Sequence, residues 1–277
     1  MGKEGAVNEV IDGPGIARAR DLISRSAAVL VLTGAGISAD SGLATFRGAD
    51  GLWRNYRAEE LATPAAFARD PRLVWEWYGM RREAAAACEP NPAHLALARL
   101  AAERDGVTIV TQNVDGLHTR AAEMVAADRS LAEEWGATST EEDAAANPPL
   151  ELHGCLFSVR CTRCGERYRH RDPIDAGSVD TLPACRSCAN LLRPDIVWFG
   201  EPLGRAIEVA FARAREADLC LVVGTSAVVQ PAASIATVVC RAGGSVVEVN
   251  PEPTPLTSIA VVSLRGGAAE IVPSLVG

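Results

Sequence analysis

Lysine, long apolar runs and a surplus of positive charge are the three things this sequence has least of, and each absence narrows the field. Lys3 is the only lysine, so nearly all of the positive charge is arginine. That bias fits a high-GC genome or a mildly salt-adapted proteome and says nothing about chemistry. No stretch approaches the roughly 18 consecutive apolar residues of a membrane span. The opening MGKEGAVNEVIDGPG lacks the order of basic segment then apolar run that marks a secretion leader, and the expected location is the cytoplasm. A net charge of −8 argues against a dedicated nucleic-acid binder, which needs a basic surface to release counterions from phosphate, although it leaves room for a local basic patch.

What is present is a chain of 277 residues, 48% hydrophobic, long enough to bury one large core and a smaller module. Short β-branched runs start at Ala27 (AAVLVLT), Val107 (VTIVT), Leu219 (LCLVVGT) and Ser245 (SVVEVN). Each ends in a polar or glycine-bearing turn, as strands buried on both faces of a parallel sheet do. Helical periodicity fills the stretches Pro92 to Arg104, Gly204 to Ala217 and Pro231 to Ala242. The pattern predicts an α/β fold with a Rossmann-like, doubly wound parallel sheet whose ligands sit at the carboxyl ends of the strands. Its large domain is expected over about 14–45, 89–160 and 194–277, interrupted by a helical insertion over about 46–88 and a metal-held module over about 161–193. A third stretch, about 122–149, is rich in alanine and acid and reads as a partly helical, solvated insertion without chemistry.

Eight cysteines in a chain expected inside the cell are thiols or metal ligands before they are disulfides. Cys161-x2-Cys164 and Cys185-x2-Cys188 form two knuckles whose four thiolates close a tetrahedral zinc site, leaving no position open for water. The zinc is therefore expected to be structural, one per chain, holding together a module too small for a core of its own. Cys88, Cys155, Cys220 and Cys240 stand in apolar settings and read as buried thiols.

After the first strand, Gly34-Ala35-Gly36-Ile37-Ser38-Ala39-Asp40 forms a glycine-rich turn that lets backbone amides approach a pyrophosphate. Ala39 stands where the usual fingerprint has its third glycine, so on its own the loop also suits a tight turn in any α/β protein. Thr111-Gln112-Asn113-Val114-Asp115-Gly116 follows the second strand, with amides and a carboxylate able to hold ribose hydroxyls and a carboxamide; Asn-x-Asp-Gly is equally a good turn. Glu151-Leu152-His153-Gly154 supplies an imidazole suited to general-base work. Its rivals are His94 in a helical pattern, His118 beside the Asp turn, placed to pack or to orient Asp115, and His170 in a charged loop.

The run GAGISADSGLATFRG, continuing to Phe46 and Arg47, resembles the nucleotide-binding signature of the sirtuin family almost residue for residue, and the likeness extends from about Gly15 to the C-terminus. Only the acidic insertion departs from it. The resemblance implies an NAD-consuming protein-lysine deacylase. In that reading the acyl oxygen attacks the anomeric carbon of the nicotinamide ribose, and the products are lysine, nicotinamide and O-acyl-ADP-ribose. It implies NAD contacts from Gly34, Ala35, Gly36, Ser38, Asp40, Phe46, Arg47, Trp53, Gln112, Asn113 and Asp115. Gly224-Thr225-Ser226, Asn250-Pro251-Glu252 and Ala268 are implied for the adenosine end. His153, with Asn113 and Asp115, is implied as the catalytic group. Val197, Phe199, Gly200 and Glu201 match the segment that takes up an extended substrate peptide by strand addition.

Tyr78 and Arg81 sit three apart in a helical stretch, on one face. As a bare pattern they are a packed tyrosine and a surface ion pair. Sirtuins that remove acidic acyl groups carry a Tyr and an Arg at this spacing for the distal carboxylate, with an alanine upstream that Ala62 matches. The resemblance thus implies succinyl and malonyl removal, with acetyl as a lesser or alternative substrate. Acylated-lysine proteins are the expected partners and a monomer the expected state. Competing readings are a mono-ADP-ribosyltransferase, a dehydrogenase, which would release reduced cofactor instead of nicotinamide, and a zinc-ribbon module fused to a nucleotide sensor without turnover.

Overall fold

A computed structural model describes residues 13–43, 52–53, 56–134 and 147–276, with the backbone path alone at 52–53 and 129–134. In chain order the elements begin with α1 (Gly13–Arg25), β1 (Val29–Thr33), a 3-10 turn (Ala35–Ser41), β2 (Leu52–Trp53), β3 (Tyr56–Arg57), α2 (Ala58–Leu61), α3 (Pro64–Arg69) and α4 (Pro71–Ala86). Next come α5 (Pro92–Glu103), β4 (Val107–Thr111), α6 (Leu117–Glu134), β5 (Leu150–Glu151), β6 (Gly154–Cys161), β7 (Arg167–Arg169) and β8 (Leu192–Ile196). The chain closes with α7 (Arg205–Glu216), β9 (Leu219–Val223), α8 (Ser234–Arg241), β10 (Ser245–Val249), β11 (Val262–Leu264) and α9 (Ala268–Val276).

Six strands form an all-parallel sheet in the order β11-β10-β9-β1-β4-β5. The chain steps outward from β1 to β4 and β5, then returns to β9 on the other side, so the strand order reverses between β1 and β9. That reversal opens a crevice at the carboxyl edge, where doubly wound sheets bind their ligands. Every residue of β1 and β9 is buried because helices cover both faces. Val29, Val31, Leu219 and Leu221 pack with Ile23, Leu97 and Ile271 on one side. Leu30, Leu32, Cys220 and Val222 pack with Ala210, Ala214, Ile235 and Val239 on the other, as the period of two requires.

The helical insertion and the zinc module expected as separate interruptions share one core. Trp75, Tyr78, Leu61 and Phe67 from α2 to α4 pack with Val159, Cys161, Leu192 and Trp198, over an antiparallel sheet β7-β6-β8. Strand β6 belongs to this sheet from Gly154 onward, so residues 154–160, expected in the large domain, lie in the smaller unit. Arg82 is buried in the join, its guanidinium donating to the carbonyls of Leu156 and Asp172. The acidic stretch also begins differently from expectation: α6 runs into it, and Ala121 and Val125 pack against Ala98 of α5. Its residues 135–146 lie outside the described residues.

Candidate active site

The motifs picked out by sequence stand at the carboxyl edge of the sheet, at the ends of β1, β4, β5, β9 and β10. The Gly34 amide donates to Val223 O at 3.1 Å and the Gly36 amide to Gly224 O at 2.7 Å. A Cβ on Gly34 would stand 2.7 Å from the Thr225 Cβ, and one on Gly36 2.7 Å from Gly224 O. These glycines are thus required by the close approach of the two loops that flank the crevice. Downstream, Ala35–Ser41 is a 3-10 turn ended by Gly42 at φ 88°. Asp40 accepts from the Ala269 amide at 3.1 Å, tying the start of α9, and with it Ala268, to the glycine loop. Ser226, Pro251 and Glu252 are exposed at the rim. Asn250 closes its own turn by donating to Glu252 O at 2.7 Å, and Arg265 steadies that turn from the buried carboxylate of Glu248 at 3.0 Å. Phe46 and Arg47 lie outside the described residues, and only the backbone of Trp53 is described.

Beneath the crevice runs a directional hydrogen-bond chain. Asn113 Nδ2 donates to Gly34 O and to Ser38 Oγ, both at 3.1 Å, and Ser38 Oγ donates to Asp115 Oδ2 at 2.8 Å. The other Asp115 oxygen accepts the Leu117 amide at 2.9 Å. Burial pushes the Asp115 carboxyl upward, while those two donors and the nearby Arg81 charge pull it back. Gln112 Nε2 donates to Thr225 Oγ1 at 2.9 Å, joining the end of β4 to the end of β9.

The four histidines separate by environment. His153 Nδ1 lies 2.8 Å from Gln112 O; a carbonyl only accepts, so Nδ1 carries the proton and Nε2 keeps its lone pair. Partial burial holds this imidazole below its ordinary pKa, opposed by the bond to Gln112. His94 and His118 are buried, their rings 4.8 Å apart edge to face, and desolvation depresses both, His94 to about 4. Of the two tasks expected of His118, packing holds and orienting Asp115 does not: its Nε2 meets Thr33 Oγ1 at 2.9 Å, and Asp115 is oriented by Ser38 and the Leu117 amide. His94 stands 3.5 Å from Ser38 Oγ, which its helical pattern did not reveal. His170 lies in the smaller unit, its carbonyl accepting from Arg82.

The acyl-pocket candidates converge from two elements. Tyr78 is fully buried, and its hydroxyl accepts from the indole of Trp198 at 2.9 Å. The Arg81 guanidinium lies 4.8 Å from the Trp77 ring centroid and 5.7 Å from that of Tyr78. Ala62 O accepts the Phe199 amide at 2.9 Å, docking α2 against the turn Trp198 to Glu201. That turn closes through Glu201 N to Trp198 O at 2.9 Å, with Gly200 at φ 85°, the left-handed position of a type II turn. Glu201 faces inward: Arg193 grips it at 2.6 and 2.9 Å, and the Trp198 amide donates to it. Val197 pairs its amide with His153 O at 2.9 Å. Arg193 was not singled out by sequence, and Trp198 only as a member of the segment Val197 to Glu201.

Cys161, Cys164, Cys185 and Cys188 place their sulfurs within 4.8 Å of one another, with Sγ separations of 3.4 Å for Cys161–Cys188 and 3.6 Å for Cys164–Cys185. A tetrahedron with Zn–S bonds of about 2.3 Å needs sulfurs roughly 3.8 Å apart, a value bracketed by separations that run from 3.4 Å to no more than 4.8 Å, so the cluster fits a structural zinc with small adjustments. The Arg163 and Cys164 amides both donate to Cys161 Sγ at 3.4 Å. Each knuckle is followed by a left-handed residue, Gly165 at φ 75° and Ala189 at φ 56°. Of the remaining cysteines, Cys155 and Cys220 are buried as expected, whereas Cys88 and Cys240 are only half-buried.

A doubly wound sheet, a polar crevice where its strand order reverses and a four-cysteine module define a class of two-part α/β proteins with a nucleotide crevice at the carboxyl edge of the sheet and a metal-held smaller unit. The profile of the Sir2 family matches residues 34–133 and 138–231, and the chain belongs to that family. It is 47% identical over 260 residues to an NAD-dependent protein deacylase of Pyrococcus furiosus, covering 92% of this chain and 94% of that protein. An NAD-dependent protein deacylase of Archaeoglobus fulgidus is 46% identical over 92% of this chain and 94% of its own length. Among solved structures, a Sir2 homologue in complex with NAD superposes with a TM-score of 0.77 at 42% identity, covering 94% of this chain and 92% of its own. A Sir2 mutant holding a p53 peptide and NAD gives 0.73 at 29% identity, over 94% and 96% of the two chains.

Proposed function

We propose that this protein is an NAD-dependent protein-lysine deacylase whose acyl pocket takes succinyl and malonyl groups ahead of acetyl. The observation that carries the reaction is the crevice at the reversal of strand order, where Ser38, Gln112, Asn113, Asp115 and His153 meet on fixed hydrogen bonds. The amides and the carboxylate there suit a carboxamide and ribose hydroxyls, so the donor set fits NAD. When bound, NAD supplies the activated ribose carbon to which the acyl oxygen is transferred. Asn113 and Asp115 orient at the floor, locked by Ser38. His153, with Nδ1 tied to Gln112 O, offers Nε2 to take a proton from a ribose hydroxyl, the task of a general base. Substrate lysines arrive on an extended peptide along the turn Val197 to Glu201, where Phe199 is 56% exposed and strand addition draws on backbone more than on side chains.

The acidic-acyl preference rests on Ala62, Tyr78 and Arg81. A guanidinium and a phenol form charge-assisted hydrogen bonds to a carboxylate, and an acetyl methyl has no use for either. Turnover of acetyl-, malonyl- and succinyl-lysine peptides with NAD, in the parent and in the double variant Tyr78→Phe, Arg81→Met, tests it. The parent is expected to favour the acidic acyl groups, and the double variant to lose that preference by about 100-fold in kcat/KM. A parent that favours acetyl and a double variant that changes nothing would make the protein a deacetylase.

A further inference from the structure

Strand β9, helix α8 and strand β10 form a βαβ unit whose two parallel strands end side by side, the Gly224 amide donating to Val249 O at 3.0 Å. In dinucleotide-binding units of this kind the chain turns at a glycine after the first strand, and the end of the second strand meets the adenosine ribose. An acidic residue there takes the 2′-hydroxyl of NAD, whereas an arginine accommodates the 2′-phosphate of NADP. Here both charges are present. Gly224 turns at φ 59°, Glu252 is exposed just past the end of β10, and Arg265, the residue after β11, reaches the same turn. The choice of cofactor then depends on where the guanidinium is held.

Glu248 holds it. This carboxylate is fully buried in β10 and lies 3.0 Å from Arg265 Nη1. The same nitrogen donates to Asn250 O at 3.3 Å and Glu252 O at 3.2 Å, and Nη2 donates to Thr257 Oγ1 at 3.1 Å. Thr257 passes its own proton to Glu248 at 2.6 Å, and the Thr254 hydroxyl donates to the other carboxylate oxygen. The guanidinium is thus committed to the carbonyl side of the Asn250–Glu252 turn. A buried ion pair is often no more stable than apolar residues of similar volume, so stability alone does not account for a full charge at position 248.

Resting on the NAD reading given above, we propose that Glu248 is a specificity-determining residue for the cofactor. By drawing Arg265 against the carbonyls of the Asn250–Glu252 turn, it denies a cation to a 2′-phosphate and leaves Glu252 as the exposed charge of that turn. A 2′-hydroxyl can donate to a carboxylate, but a phosphate monoester, with a charge of about −1.5 to −2 at neutral pH, is repelled by it. NAD is accepted and NADP refused.

Nicotinamide release by the zinc-loaded full chain with an acyl-lysine peptide, supplied with NAD or with NADP, tests this. The parent is expected to turn over NADP about 100-fold less efficiently than NAD. Glu248→Gln keeps the shape and removes the charge; it should raise the NADP-to-NAD ratio of kcat/KM about 10-fold, a gain that shrinks as salt is added. Adding Arg265→Gln should erase the gain, because the cation itself is then gone. Thr257→Val removes one anchor of the guanidinium, should shift the ratio the same way by less, and carries the test if Glu248→Gln does not fold. A Glu248→Gln protein whose KM for NAD rises with no gain on NADP would make Glu248 a brace for the turn and overturn the proposal, as would a gain that survives Arg265→Gln. A parent that uses NADP as readily as NAD sinks the proposal while the deacylase reading stands. If the parent releases nicotinamide from neither cofactor, that reading fails and takes the proposal with it.

Discussion

The neutral imidazole of His153 is set by one contact. Because Gln112 O fixes the proton on Nδ1 and burial lowers the pKa, the basic Nε2 is available at neutral pH without prior deprotonation. The sign follows directly. A base is lost on protonation, so kcat/KM should hold level near pH 7 and fall on the acid side with a midpoint below the ordinary value of about 6.5. A pH–rate profile of deacylation reads this, and a midpoint at or above 7 would contradict it. His153→Ala should lower kcat by about 10²- to 10⁴-fold with the fold intact. The sequence identified His153 only through the family likeness, since a lone histidine carries no sign of its partner. His94 and Ser38 expose the same limit. They meet across 56 positions of sequence, and nothing local to either tells of the other.

At the scale of elements, most of the large sheet was legible. Strands β1, β4, β9 and β10 announce themselves as short β-branched runs because burial on both faces leaves few polar positions in them, and the carboxylate of Glu248 in β10 is matched by Arg265. Strand β5 was not, being two residues long and held by its pairing with β4, a tertiary cause. The glycine loop was found for the right residues, although the crowding that demands Gly34 and Gly36 comes from Gly224 and Thr225, nearly two hundred positions away. The two cysteine knuckles were legible from spacing alone, but the left-handed residue after each was not used. Gly165 fills that place at no steric cost, whereas Ala189 occupies it with a Cβ. Ala189→Gly is therefore expected to stabilise the zinc-loaded protein by about 1 kcal/mol, and Gly165→Ala to destabilise it by a similar amount. Thermal melts of the two variants check this; a stabilising Gly165→Ala would refute it.

Over the whole molecule, the zinc-ligand cysteines share a core with Ala62 and Tyr78. Cys161 and Cys185 are buried with Trp75, Tyr78, Leu192 and Trp198, while the six-stranded sheet has separate cores on its two faces. The sequence split the smaller unit into two pieces because its helices and its cysteines are separated in the chain by α5, β4 and α6. Removing zinc with a strong chelator should therefore erase amide-exchange protection in β6, β7, β8 and α4, and abolish deacylation, while β1, β9 and β10 stay protected. Uniform loss of protection across both units, or none in α4, would show that the shared core does not govern stability as described.

The stoichiometry of the one reaction proposed for this crevice is the most direct test. Purified zinc-loaded protein incubated with NAD and an acyl-lysine peptide should release one nicotinamide for each lysine freed, with the acyl group recovered on ADP-ribose and none of the ADP-ribose left on protein. Reduced cofactor in place of nicotinamide, ADP-ribose retained on protein, or deacylation that proceeds without NAD would contradict it.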